Sequence, residues 1–237
     1  RGAPRSRPEG GALALGVRAW GDGAARAPRR WRAPMDALGG REPLKLTHVL
    51  HEPGSTWSKA LALLSLSPLF AVCALTAAVA VTRWVRWVWT LLGVLAVDGI
   101  CRVLKKVLKQ PRPEGSYRGG YGMPSEHAAF AFFLALHCSQ HLHRHVYCPT
   151  LIKMTVIALL WTWAGLVTFS RAHMGVHSEA QLAVGAALGV AYSLAWFRLE
   201  LALSAPLARA QRLADAAWRG LGISWRECGG DPSGKGD

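Results

Sequence analysis

Long apolar stretches alternate along the chain with short polar ones, at a spacing that suits a bilayer rather than a soluble core. Residues 60–82, ALALLSLSPLFAVCALTAAVAVT, run to span length without a charged residue, enough for a helix to cross the hydrocarbon region. Four further stretches have similar length: Trp87 to Leu104, His127 to His143, Leu151 to Phe169 and Ala180 to Leu199. Small or polar residues interrupt them, as they do in helices that pack inside a membrane bundle. The pattern predicts an all-α, polytopic membrane bundle of about five transmembrane helices.

The ends of the chain break this pattern. Residues 1–34 hold eight arginines against only Glu9 and Asp22, with many glycines, alanines and prolines. They are expected to lie outside the fold, as a disordered, upstream or transit-like segment. The bundle is expected over 35–200. In the remainder, 201–237, Leu207, Ala210, Leu213, Ala214, Ala217 and Trp218 recur at helical spacing with Arg209, Arg212 and Arg219 off the stripe. That suits a helix lying among lipid headgroups, followed by a disordered tail from Gly229.

Composition adds charge to the picture. Of 237 residues 51% are apolar, yet the formal net charge is +14. The basic residues flank the apolar stretches and the termini, and no nucleic-acid module accompanies them, so the expected anion is lipid or phosphate rather than nucleic acid. The five cysteines, Cys73, Cys101, Cys138, Cys148 and Cys228, show no CxxC spacing and read as small packing residues. Arg198, Arg209, Arg212 and Arg219 place the C-terminal side in the cytosol. With five spans, residues 105–126 and 170–179 then face each other on the opposite, lumenal side.

Three polar clusters occupy that side. In KKVLKQPRP, Lys105 ends a helix and Arg112 sits between Pro111 and Pro113. A point charge and a planar fork suit different oxygens of one phosphate, although a juxtamembrane basic patch touching headgroups has the same composition. In YGMPSEH, Ser125 or a neighbour caps the next helix, whose N-terminal amides attract an anion. His127, in the first turn, is placed to donate to a phosphate oxygen or protonate a leaving oxygen; a plain serine cap beside an interfacial histidine is the other reading. In FSRAHMGVHSEAQ, Gln181 follows His177 by four residues, so it shares a helix face and can accept the imidazole N–H, leaving the second ring nitrogen bare. His173 and His177 also have a two-ligand zinc spacing, but Met174 stands where the H-E-x-x-H motif has glutamate.

Lys105-x6-Arg112-Pro113, Pro124-Ser125-x-His127 and Ser170-Arg171-x5-His177 resemble, in order and internal spacing, the three-part signature of the type 2 phosphatidic acid phosphatase superfamily, over roughly residues 56–199. The resemblance implies a metal-independent phosphohydrolase that needs no cofactor. In it Lys105, Arg112, Ser125 and Arg171 bind the phosphoryl group, His177 attacks phosphorus and His127 protonates the leaving oxygen. LTHV at 46–49, LSLSP at 64–68, KQPRP and YGMPSEH look further like the eukaryotic dolichyldiphosphatase branch. That implies a polyprenyl (dolichyl) diphosphate substrate, cleaved at the lumenal face of the endoplasmic reticulum membrane in dolichol recycling for protein N-glycosylation. Gln181 stands where most of the superfamily has aspartate, and resembles the dolichyldiphosphatases in this. Glu126 occupies a position usually small, and is expected to point away from the phosphate or to pair with Arg118 or Lys109.

Other polar residues carry weaker expectations. Asp98 has Arg102 at i+4 and Lys105 at i+7 on one helix face, which predicts an ion pair that positions the basic cluster. His141, His143 and His145 read as an interfacial loop on the cytosolic side rather than a metal tract. Tyr117 and Tyr121, among glycines, form a lumenal loop that either closes over a headgroup or simply turns. Against the narrow assignment stand a broader lipid phosphate phosphatase acting on phosphatidate or isoprenoid phosphates, and a catalytically dead membrane scaffold.

Overall fold

The computed structural model describes residues 55–114, 116 and 118–220. The expected segment 1–34, the LTHV string, Tyr117, Cys228 and the tail from Gly229 lie outside them. The described residues form seven helices: α1 (Thr56–Leu64), α2 (Ser67–Thr82), α3 (Val85–Leu108), α4 (Glu126–His145), α5 (Thr150–His173), α6 (Glu179–Ala202) and α7 (Ser204–Gly220). The chain is an all-helical membrane bundle.

Local chemistry sets the helix ends. Ser55 caps α1 by accepting from the Ser58 amide at 3.1 Å, and Pro68 sits in the first turn of α2, where its missing N–H costs nothing. The span expected as one segment over 60–82 is thus two helices broken at Ser65 and Leu66. Arg83 and Lys109 close α2 and α3 in left-handed conformation, with φ of 58° and 49°. Gly175, at φ 61°, supplies the reversal between α5 and α6.

Four segments are long and apolar enough to cross a membrane: Thr56–Thr82, Val85–Leu108, Thr150–His173 and Glu179–Ala202. The fifth expected span, α4, forms as a helix where the sequence placed it but does not reach that apolarity, because its surroundings are protein. Ala128, Ala129, Ala131, Phe133 and Ala135 are fully buried. Small residues allow this. A Cβ at Gly189 would lie 3.0 Å from the Phe133 amide nitrogen, and one at Gly185 would lie 2.6 Å from the Ser125 carbonyl oxygen. Glycines one turn apart therefore seat α6 directly on the α4 backbone.

The histidine tract expected as a loop instead forms the last turns of α4. The helix persists because its polar groups find partners inside the bundle: His141 meets Glu200 of α6 at 2.9 Å, and His137 meets Thr90 of α3 at 3.3 Å. Beyond the bundle, α7 buries no residue. Gln211 accepts from the Val85 amide at 2.8 Å and Trp218 lies under the Arg83 guanidinium at 4.1 Å, which tie α7 to the α2–α3 turn. The four described cysteines are free thiols.

Because successive helices run up and down, α3 and α5 end where α4 and α6 begin. All three sequence clusters come together at that end.

Candidate active site

His177 lies in the short connection between α5 and α6 and is buried, with 5% of its surface exposed. Its two ring nitrogens have different partners. Arg112 Nη1 is 3.1 Å from Nε2 and Gln181 Oε1 is 3.2 Å from Nδ1. A guanidinium only donates, so Nε2 is the bare nitrogen and Nδ1–H donates to Gln181. The i+4 placement at the start of α6 thus fixes one tautomer.

Gln181 is itself held. Its Oε1 also accepts from the Ser178 amide at 3.3 Å, its Nε2 donates to the Pro111 carbonyl at 2.8 Å, and it completes the α6 capping box with Ser178. Its backbone carbonyl accepts from the Ser125 amide at 3.1 Å. One residue therefore touches all three clusters. A Cβ on Gly122 would stand 2.6 Å from the Gln181 Cδ, so the loop before α4 can approach only because that position is glycine. The loop is pinned by the Gly122 amide donating to Gln110 at 2.8 Å and by the antiparallel bridge of Pro111 with Tyr121.

Positive charge surrounds His177. Burial, and after it the charges of Arg112, Arg171 and Lys105, pushes the imidazole down to about 3, against a smaller opposing effect of the Gln181 hydrogen bond. The ring is neutral through the physiological range. Arg112 Nη1 also donates to the Val176 carbonyl at 3.0 Å, and Arg171, in the last turn of α5, is 1% exposed.

Ser125 caps α4 as the sequence suggested, accepting from the Ala128 amide at 3.5 Å, and His127 falls in the first turn. The charges of Arg171, Arg118 and Lys105 act on His127, and those of Arg171 and Lys105 also act on His177, which places both histidines in one electrostatic environment. One expectation needs correction. Glu126 pairs with neither Arg118 nor Lys109 but with Lys105, at 2.9 Å. Lys109 has left the helix in left-handed conformation, whereas Lys105, one turn earlier on α3, faces the start of α4. Asp98 pairs with Arg102 at 2.6 Å, the i+4 partner its spacing predicted.

A cavity of about 340 Å³ opens beside these groups, lined by His127, Arg171, Arg118 and Asp98 together with Leu66, Leu69, Val72 and Leu95. Sequence reasoning missed Arg118 as a lining residue, and missed that Ser65, Leu66 and Pro68 of the LSLSP string belong to the same wall. The signal for the latter was Pro68 within an apolar run. The zinc spacing of His173 and His177 comes to nothing: α5 ends at His173, whose exposed ring stacks on Phe169 at 6.3 Å, while His177 turns inward.

The family model described as the PAP2 superfamily matches residues 86–204. Dolichyldiphosphatase 1 of Mus musculus is 30% identical over 197 residues, covering 78% of this chain and 79% of that protein. Lipid phosphate phosphatase gamma of Arabidopsis thaliana is 30% identical over 159 residues, covering 64% and 70%. Among solved structures, a transmembrane PAP2 type phosphatidylglycerolphosphate phosphatase from Bacillus subtilis superposes with a TM-score of 0.52 at 22% identity, covering 64% of this chain and 80% of that one. That likeness is one of fold.

Proposed function

We propose that this chain, which belongs to the PAP2 superfamily, hydrolyses dolichyl diphosphate to dolichyl phosphate and inorganic phosphate through a phosphohistidine. The observation that carries the reading is the His177 imidazole, neutral, with Nδ1–H on Gln181 and Nε2 bare toward Arg112. This is an oriented nucleophile beside a phosphate-binding cation.

In the first step Nε2 of His177 attacks the terminal phosphorus and the anhydride P–O bond breaks. The departing dolichyl phosphate oxygen takes a proton from His127, which enters this step as the imidazolium that the charge of the bound diphosphate stabilises. Arg112, Arg171 and Lys105, with the Ser125 hydroxyl and the first amides of α4, neutralise the equatorial oxygens, which is where phosphoryl transfer needs most help. Arg112 leaves the His177 ring for the phosphate as substrate enters. Water, deprotonated by His127, then attacks the phosphohistidine and releases inorganic phosphate.

The apolar residues of the cavity wall, among them Leu69 and Val72 of α2 and Leu95 of α3, suit a chain that stays in the bilayer while its headgroup reaches His127. The basic residues at the other end of the bundle, including Arg83, Arg86, Arg144, Lys153 and Arg198, support an active site facing the lumen of the endoplasmic reticulum. Named relatives called dolichyldiphosphatase support the substrate. A second reading, a lipid monophosphate phosphatase, is favoured by the Glu126–Lys105 pair, which removes positive charge that a diphosphate would use.

Purified protein is to be assayed on dolichyl diphosphate, dolichyl monophosphate and phosphatidate in the presence of chelator. The proposal expects phosphate release from the diphosphate first, and its loss in His177→Ala and His127→Ala. Preference for phosphatidate moves the assignment to the broader phosphatase, and release unchanged in His177→Ala overturns the mechanism.

A further inference from the structure

A second cluster of coordinating groups lies at the opposite end of α4. His137 and His141 stand one turn apart on that helix, and Glu200 faces them from α6. Each offers a donor atom within 4.8 Å of the others. From Ser125 to this turn α4 rises roughly 20 Å, so the cluster has no part in the phosphate pocket.

Hydrogen bonding shows which lone pairs are available. Thr90 Oγ1 gives its proton to the Arg86 carbonyl at 3.0 Å, so its contact with His137 Nε2 at 3.3 Å is one in which the imidazole donates. That leaves His137 Nδ1 as a bare lone pair, fully buried and without a hydrogen-bond partner. His141 Nε2 lies 2.9 Å from Glu200 Oε2, and its Nδ1 too is buried without a partner. His137, held through Nε2 with Nδ1 bare, reproduces the arrangement of a metal-binding histidine, whose outer nitrogen is fixed by a hydroxyl, carbonyl or carboxylate, and His141 turns Nε2 to Glu200, so that nitrogen is the one to exchange its proton for a metal.

A simple ion pair of His141 with Glu200 accounts for two of the three residues but gives His137 no role. Its ring is enclosed by Phe133 at 5.3 Å and Phe197 at 6.4 Å and meets the His141 ring at 4.5 Å. This is a polar group brought deliberately to its neighbour inside an apolar shell. Arg86 also acts on Glu200 and competes for its charge, while the His145 ring lies 5.4 Å from that of His141 between centroids.

We infer that His137, His141 and Glu200 bind a divalent transition metal of the zinc class and so fasten α4 to α6 at the end of the bundle remote from the phosphate pocket. Two neutral imidazoles and a carboxylate form a ligand set suited to zinc rather than to calcium or magnesium. Binding displaces the proton on His141, which leaves to solvent as the nitrogen takes the metal.

The test is cobalt titration of the full-length, chelator-stripped protein in detergent, read by visible d–d absorption, with zinc as competitor. One equivalent of cobalt with the intense spectrum of a low-coordinate site, erased by zinc, is expected. Thr90→Val should weaken binding about tenfold, and His137→Ala, His141→Ala and Glu200→Gln by more. His143→Ala and His173→Ala should leave it unchanged. Each variant is first shown monodisperse and active on lipid phosphate, so that unfolding is not mistaken for loss of a ligand. Wild-type protein without the spectrum at excess cobalt overturns the inference whatever the variants do, as does a spectrum retained in Glu200→Gln or lost in His173→Ala. The metal should also raise the thermal midpoint without changing turnover; turnover that needs it would refute a fastening role.

Discussion

Replacing Glu126 by glutamine should make the enzyme faster. In the structure the Glu126 carboxylate holds Lys105 at 2.9 Å, with side-chain exposures of 30% and 13%, so a phosphate oxygen approaching Lys105 must either displace the carboxylate or lie beside it. At an effective permittivity of about 20 to 40, a phosphate charge about 6 Å from the carboxylate is opposed by roughly 1.5 to 3 kcal/mol. The partial exposure of Glu126 favours the lower figure, because solvent screens it. Glutamine keeps the size and removes the charge, and kcat/KM on dolichyl diphosphate should rise about tenfold, the equivalent of about 1.4 kcal/mol. The gain should be smaller on a monophosphate, which carries less charge, and should persist or grow in a Lys105→Met background, where nothing offsets the carboxylate. Steady-state kinetics in mixed micelles, on the four combinations of the two sites, reads all three outcomes. An unchanged or lower kcat/KM in folded Glu126→Gln, or a gain that vanishes without Lys105, would refute the reasoning and make Glu126 an ally of the substrate site.

Other outcomes follow from the same geometry. Gln181→Leu removes the acceptor for His177 Nδ1–H and the donor to Pro111, and should lower kcat on the order of 10- to 100-fold, as losses of residues that orient a reacting imidazole do, while leaving KM within a few-fold. Nitrogen-15 NMR of labelled histidines should find His177 in the neutral Nδ1–H form at pH 5; an imidazolium signal at pH 6 would contradict the structure. Since the folded protein holds this ring near 3 while the unfolded chain takes up the proton below about 6.5, stability is full above that value and declines as the pH falls. Denaturation at several pH values should show the decline, up to a contribution of about 5 kcal/mol, and show it reduced in His177→Ala. Gly189→Val forces a side chain onto the α4 backbone and should lower the thermal midpoint, with a cost of about 1 to 3 kcal/mol or more; an unchanged midpoint would mean that α4 and α6 are not in close contact.

Much of this was legible in the chain because each functional group is anchored by a local rule. Gln181 follows His177 by one turn, and Ser125 precedes an apolar run that has to become a helix, so the i+4 hydrogen bond and the cap could be read directly. The motif spacing gave the ends of α3, α4, α5 and α6 that must meet. What could not be read were choices among equally spaced partners. Arg118, Lys109 and Lys105 all lie within reach of Glu126 in sequence terms, and only the packing of α3 against α4 selects Lys105. The tract at His141, His143 and His145 looked like a loop because its composition is polar. Contacts from α3 and α6, distant in sequence, supply the partners that keep it helical. The break at Ser65 and Leu66 was concealed by uniform hydropathy, since an apolar run records burial in lipid but not continuity of the helix.

That break has a kinetic meaning. Irregular backbone at membrane depth persists where it borders a cavity, and here Ser65, Leu66 and Pro68 border the one that reaches His127 and Arg171. A ligand with its tail in the bilayer would enter through this side wall, travelling within the plane of the membrane and never through bulk water. Its rate of capture would then follow its mole fraction among the surrounding lipids, so diluting the vesicles would leave the rate per enzyme untouched, whereas diluting the substrate with inert lipid would slow it.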